Sequence, residues 1–415
     1  MFLLNELSQY EIMAPVGSYE SLAAAIRAKA DSVYFGIEKL NMRSHSSNNF
    51  GIDDLYKIAK TCKKHHISSY LTVNTIIYDG DMSLVREIIN AALDAGISAI
   101  IASDVAAMTY ARSIGVEVHL STQLNITNIE ALKFYAQFAD VVVLARELNL
   151  EQVKEIHRQI MEQKIKGPNG KLIRIEMFCH GALCMAVSGK CYLSLHELNV
   201  SANRGECYQV CRRQYSVKDR DSEIELAIEN SYIMSPKDLK TIHFLNKVLD
   251  AGVSVLKIEG RARGPEYVKT TVECYSEAVR AYCEGSFSTE KITDWDERLE
   301  KIFNRGFWNG YYLGQRLGEW SDKYGNKATE KKVYIGKVIK YFSKLGVAEL
   351  LIETQSLQNG EKVLVTGPTT GALIFTAEDI RVELKSTESA GKGDRFSMKV
   401  SRKVRPSDKL YKIVC

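Results

Sequence analysis

Five of the chain's nine cysteines fall within residues 176–212. Four of them, Cys184, Cys191, Cys207 and Cys211, are spaced C-x6-C-x15-C-x3-C. Four soft thiolates on one folded-back loop suit zinc or an iron–sulfur cluster. Gly181, Gly189 and Gly205 stand near three of these cysteines, where a backbone free to bend tightly aims its thiolates at a common point. In a chain without secretory features, such a cluster is more often metal-binding than disulfide-forming. Redox thiols and ordinary buried cysteines are the other readings. The short C-x2-C pairs of a zinc ribbon are absent, which weighs against zinc. Cys179 is either a fifth participant or a buried strand cysteine.

The elements that must position this loop come from the hydrophobic pattern. Eight short β-rich runs are expected at 11–16, 32–37, 69–74, 99–103, 117–122, 141–145, 174–178 and 253–258. Amphipathic helical stretches lie between most of them, such as 19–29, 53–65 and 84–95. Several runs are nearly all apolar, as parallel strands buried on both faces are. The fold class is therefore α/β, a TIM-like (β/α)8 barrel with a cysteine-rich loop after the seventh strand. Ala14-Pro15-Val16-Gly17-Ser18 lacks the glycines of a dinucleotide fingerprint.

In such a barrel, chemistry sits at the C-terminal ends of the strands. The polar residues expected there are Asn41, Arg43, Asn74, Asp104, Ser121, Thr122, Gln123, Arg146, Glu147, His180, Glu259 and Arg261. The cysteine stretch then becomes an elaborated loop over the barrel mouth. Residues 230–239 suggest an extra short strand and turn, with Pro236 opening a helix. A helix from Gly264-Pro265 carries Val268, Val272, Tyr275, Val279 and Tyr282 at helical spacing, with Cys274 and Cys283 as packing residues. The aromatic segment 303–318 is a packed loop or a binding surface, and 321–332 reads as a linker.

From residue 332 the pattern becomes short alternating runs at 333–341, 347–352, 362–366, 370–376 and 396–400, separated by turns such as Asn359-Gly360 and Gly367-Pro368. This is expected to be a small C-terminal all-β barrel domain. The domains are thus residues 1–330, a catalytic TIM-like barrel with the cysteine cluster, and residues 331–415, an accessory β-barrel. Lys337, Lys340, Lys344, Lys385, Lys392, Lys399, Arg402, Lys403 and Arg405 make the second part basic. They form a solvated charged face or an RNA-contacting surface.

The chain has 415 residues and a net charge of only +4, so charge alone does not announce nucleic acid. Hydrophobic residues are 45% and charged residues 26%, an ordinary globular balance. The first residues do not read as a signal peptide, and no stretch approaches a membrane span, so a cytoplasmic protein with reduced or metal-bound thiols and no membrane partner is expected.

One stretch carries a family resemblance. Glu176-x-Phe178-x-x-Gly181-Ala182-Leu183-Cys184-x4-Gly189-x-Cys191-x-Leu193-Ser194 resembles the signature of the U32 peptidase-like family. The resemblance extends to Ala14-Pro15-Val16-Gly17, Asp31-x-Val33-Tyr34-Phe35-Gly36, Asn203-Arg204-Gly205-x-Cys207-x-Gln209-x-Cys211-Arg212, Lys257-Ile258-Glu259-Gly260-Arg261 and Phe303-Asn304-Arg305-Gly306. It spans nearly the whole chain. The family's historical label is a collagenase-like protease, and other members are oxygen-independent hydroxylases with a [4Fe-4S] cluster. Within the family, the chain most resembles the proteins for prephenate-dependent 5-hydroxylation of the tRNA wobble uridine.

That resemblance implies a cluster held by Cys184, Cys191, Cys207 and Cys211, with Cys211 the least secure and Cys179 its nearest substitute. The implied catalytic groups are Glu176, His180 and Glu259. A dicarboxylate co-substrate such as prephenate calls for guanidinium partners, for which Arg43, Arg146 and Arg261 are candidates. Lys190, Arg204, Arg212 and Arg213 would meet the phosphates of a tRNA anticodon loop, or else offset the charge of the cluster. A homologous U32 chain is the implied protein partner. The peptidase alternative finds little chemistry in the sequence. Ser194 lacks a nucleophile-elbow context, no His-Glu-x-x-His occurs, and a Cys184–His180 pair leaves three other cysteines unexplained.

Overall fold

The computed structural model describes residues 7, 9–44, 49–215, 232–322 and 325–415. Ten strands among the described residues build its first part: β1 (Glu11–Pro15), β2 (Ser32–Phe35), β3 (Ser68–Val73), β4 (Ala99–Ala102), β5 (Val118–Leu120), β6 (Val141–Val143), β7 (Arg174–Gly181), β8 (Asp238–Lys240), β9 (Val253–Ile258) and β10 (Phe307–Trp308). β1 to β7 pair in order, all parallel. β9 joins β7 to β1 and closes the ring. The eight barrel strands are those expected from the sequence. β1, β4 and β6 are buried at every position because helices cover one face and barrel side chains the other.

Local sequence explains the helices between the strands. Tyr19–Arg27 starts where the Ser18 hydroxyl accepts a hydrogen bond from Ser21 N–H. Leu150–Gln163 begins in a reciprocal capping box between Asn149 and Gln152. Pro265–Cys283 has its proline at the first helical position, where no N–H is needed. Cys274 packs inside the barrel's main apolar core, as expected.

The segment around Pro236 differs from the expected helix start. Asp238–Lys240 is a strand, antiparallel to the end of β7 on one side and parallel to Phe307–Trp308 on the other. Tertiary pairing overrides the helix-start signal, and the helix opens later, at Leu245. Residues 230 and 231 lie outside the described residues. The aromatic segment is mostly packing, with Trp308 and Tyr312 buried. Ser321, expected in a linker, is fully buried, and its N–H donates to Ser235 O at 2.7 Å.

From Lys331 onward the chain is antiparallel β. Eight strands form one sheet around a separate core that includes Ile335, Leu350, Val365, Phe396 and Leu410. Its inner strand Lys409–Val414 was not among the expected runs. The hairpin strand Gly371–Thr376 packs on the helices Tyr19–Arg27 and Pro265–Cys283. Gly371 lies at φ +71°, and a Cβ there would come within 2.8 Å of Ala24 N. Among the described residues, no helix is long and apolar enough to cross a membrane.

Candidate active site at the barrel mouth

Gly181 ends β7 at φ +104°, and an added Cβ would lie 2.3 Å from the Glu259 carbonyl oxygen. The chain therefore turns sharply over the mouth at the one residue type that fits. The loop is then pinned to its neighbours one after another. Ser188 O accepts from Asn125 Nδ2 at 2.8 Å, and Ser188 Oγ accepts from Arg146 Nη2 at 2.9 Å. Asn203 O accepts from Ile76 N–H, and Arg204 pairs with Asp81. Gly205 O accepts from Ser44 Oγ at 3.1 Å. Loops after β2, β3, β5 and β6 thus all hold the loop after β7.

This folding brings Cys184, Cys191, Cys207 and Cys211 around one cavity, partly open to solvent. Burial pushes the Cys211 thiol up to about 11, against the lowering effect of Arg212, and the other three cysteines push it the same way as burial. Burial also raises Cys191, again with a contribution from Cys184 and Cys207. The four sulfurs thus lie within electrostatic reach of one another. Among the described residues, no three His, Cys, Asp or Glu side chains are grouped so as to hold a single metal ion. A tetrahedral zinc demands such a group. Four cysteine thiolates, each binding its own iron, are the donor set of a cubane. Cys179 is buried in the wall of β7 with Sγ 3.5 Å from Lys257 O, and it does not line the cavity.

The rest of the lining comes from strand ends. Arg43, Asn74, Ser121, Thr122, Gln123, Arg146, Glu259 and Arg261 all border the cavity. Glu259 Oε1 accepts from Arg43 Nη2 at 2.8 Å, and Oε2 accepts from the Tyr34 hydroxyl at 3.2 Å. Burial raises this carboxyl, but Arg43, Arg261 and Arg263 outweigh burial and hold it down at about 2. Arg261 is buried and donates to Asn41 Oδ1 and Thr72 Oγ1 at 3.1 and 3.0 Å. Burial lowers it to about 10. Arg146 stacks over Phe178 at 5.3 Å. Among the described residues, neither Arg146 nor Arg261 has a carboxylate ion-pair partner.

Other expected site residues lie elsewhere. His180 is buried outside the cavity, its ring against Tyr267, Tyr275 and Phe307. Burial is the first cause that drives it down to about 3, so it is a neutral imidazole. A bulge on β7 between Phe178 and His180 shifts the side-chain alternation and accounts for this orientation. Arg212 also does not line the cavity. Its guanidinium donates to Leu183 O, Ser235 Oγ and Pro236 O, which ties the cysteine loop to the segment before β8. Arg204 and Arg213 pair with Asp81 and Glu197. Asp104 caps the helix after β4 through Ala106 N–H.

Glu176 is fully buried in the barrel, where it accepts from Lys257 Nζ at 2.6 Å. Lys257 was not singled out from the sequence, yet it forms part of the cavity floor. Its ammonium lies 4.7 Å from the Tyr34 ring centroid and 5.6 Å from that of Phe178. The available signal was a lysine at an inward position of an apolar strand, matched by a glutamate at an inward position of the strand beside it. Tyr34, Thr72, Asn203 and Gln209 are further lining residues missing from the expected set.

Comparison with known proteins agrees with the resemblance. A family profile described as peptidase family U32 matches residues 17–322. The chain is 66% identical over 406 residues to a protein named collagenase from Porphyromonas gingivalis, covering 98% of each chain. It is 31% identical over 412 residues to tRNA hydroxylation protein P1 of Bacillus subtilis, covering 97% of this chain and 94% of that one. It is 30% identical over 380 residues to a 23S rRNA 5-hydroxycytidine synthase of Escherichia coli, covering 89% of this chain and 54% of that one.

Proposed function

The chain belongs to peptidase family U32, and from that premise we propose that it is a tRNA-modifying enzyme that 5-hydroxylates the wobble uridine without O2. The observation that carries this reading is the convergence of four cysteines on one cavity whose lining also holds the guanidinium groups of Arg146 and Arg261. Cys184, Cys191, Cys207 and Cys211 would hold a [4Fe-4S] cluster, which supplies one-electron chemistry when bound. Arg146 and Arg261 offer planar forks for the carboxylates of a co-substrate such as prephenate. Glu259 stays anionic and fixes Arg43 and the Tyr34 hydroxyl at the rim. Lys257, neutralised by Glu176, presents one ammonium to the cavity floor. The loop after β7 covers the mouth and shields bound groups from water.

The relatives named for tRNA and rRNA hydroxylation support an RNA substrate. A base edge at C5 must be exposed to react, so an unpaired anticodon loop suits the site. We assign the chemistry to residues 1–330 and an accessory RNA-contacting role to 331–415, acting in the cytoplasm.

Peptide hydrolysis is the second reading, because the 66% identical relative is named collagenase. Among the described residues, the cavity lining contains no histidine to activate a thiol or hydroxyl. Ser194 is buried, and its Oγ accepts from Tyr208 N–H.

The test is iron and acid-labile sulfide content after strictly anaerobic purification, beside a Cys184→Ser/Cys191→Ser variant. About four of each per chain, lost in the variant, is expected for a cubane held by four thiolates. Nucleoside mass spectrometry of a deletion strain should then lack one 5-hydroxyuridine-derived species. Stoichiometric zinc, or cleavage of a gelatin substrate with tRNA nucleosides unchanged, would refute the hydroxylase.

A further inference from the structure

Two of the cysteines that line the cavity are each followed by a tyrosine that does not. Tyr192 is 73% exposed and Tyr208 51%. Folding gains from burying an aromatic ring, so two exposed tyrosines, each next to a lining cysteine, point to something outside the chain. Lys190, on the other side of Cys191 from Tyr192, is exposed and has no ion pair among the described residues.

An exposed ring face beside an exposed ammonium matches unpaired nucleic acid. A base stacks on the ring, and the next phosphate meets the cation. A protein partner fits less well, because lysine is depleted from the centres of protein interfaces. Arg146, which lines the cavity and has no carboxylate ion pair among the described residues, adds positive potential of the same kind.

We propose that Tyr192 and Lys190, with Tyr208 beside the lining residue Cys207, form a stacking platform for the unpaired RNA bases that flank the nucleotide held in the cavity. The proposal rests on the RNA reading above and adds the residues that grip the single strand.

The experiment is fluorescence anisotropy of a labelled RNA stem-loop with a uridine in its loop, titrated with the full chain purified anaerobically. The same RNA closed into a duplex by its complement is run beside it. Tyr192→Ala, Tyr192→Phe and Lys190→Ala are compared, and thermal melts confirm that each is folded. Tyr192→Ala is expected to weaken stem-loop binding on the order of 5- to 100-fold, the range that loss of one stacked base produces. Tyr192→Phe keeps the ring and should bind within about twofold of the unmodified chain, because stacking needs only the π-face. Lys190→Ala should lower the salt slope by about one. The duplex should bind more weakly than the stem-loop.

Equal binding by Tyr192→Ala and the unmodified chain overturns the platform and leaves the hydroxylase standing. No RNA binding by the unmodified chain at low salt overturns both. If Tyr192→Ala changes the oligomeric state while RNA affinity stays constant, the surface belongs to a protein contact and the platform is refuted.

Discussion

Replacing Lys257 by methionine tests the barrel interior directly. Glu176 is fully buried, the Lys257 side chain is 6% exposed, and their charged atoms lie 2.6 Å apart. The second carboxylate oxygen, Glu176 Oε2, has no hydrogen-bond partner among the described residues. Lys257→Met therefore strands a buried carboxylate, at a cost of about 3–5 kcal/mol. Glu176→Leu strands an ammonium instead, but one that the Tyr34 and Phe178 rings and the cavity solvate in part. Its cost belongs near the lower end of that range. The double variant carries no buried charge and should fall within about 1 kcal/mol of the original chain, because apolar replacements of buried pairs are often neutral. The two changes together then cost several kcal/mol less than their sum. Urea unfolding followed by tryptophan fluorescence measures this. All three tryptophans, Trp295, Trp308 and Trp320, precede the C-terminal sheet, so the signal reports the barrel. A Lys257→Met variant within about 1 kcal/mol of the parent, or a double variant that costs the full sum, would refute the argument from burial.

Three more predictions follow from the geometry. Gly181→Ala should yield a far less stable protein than Gly170→Ala. Both have positive φ, but only at Gly181 does the new methyl meet a carbonyl at 2.3 Å, whereas Gly170 has open space; melting the two variants side by side decides it, with Gly170→Ala costing about 1–2 kcal/mol. Glu259 has a depressed pKa of about 2. Its stabilising contribution is therefore present above the unfolded value near 4.3 and is lost as pH falls toward 2; Glu259→Gln should flatten the stability profile across that window, and parallel acid limbs for the two proteins would count against it. Arg212→Ala removes three hydrogen bonds, two that tie the cysteine loop to residues 235–236 and one to Leu183 within the loop, and should cost at least about 2 kcal/mol, whereas Arg213→Ala, an exposed partner of Glu197, should cost under about 1. Limited proteolysis of the loop distinguishes them, and equal resistance would argue against the tether.

Much of the barrel was legible because its parallel strands are buried on both faces. Runs such as Ala99–Ala102 and Val141–Val143 announce themselves by composition. The cysteine spacing was legible for a different reason, since few other folds need four thiols and bending glycines in one loop. What escaped the sequence depended on distant partners. Asp238–Lys240 is a strand only because β7 and Phe307–Trp308 flank it. Lys409–Val414 alternates too weakly to stand out, yet it is an inner strand of its sheet, paired on both edges. His180 was misplaced by a single bulge, which no local pattern marks. Lys257 hid inside a motif because its partner lies 81 positions away.

The hairpin strand Gly371–Thr376 rests on two helices at once, the one after β1 and the one after β9. Those strands are neighbours, and their pairing is where the ring joins its own beginning to its end. The C-terminal sheet therefore works as a clasp across the barrel's seam. Arg27 adds a stitch to Thr369 O at 2.8 Å, and Lys332 adds another to Glu266 at 2.6 Å. Unzipping of the barrel should begin elsewhere, and a chain cut before the clasp should come undone first along β1 and β9, leaving the cysteine loop's moorings for last.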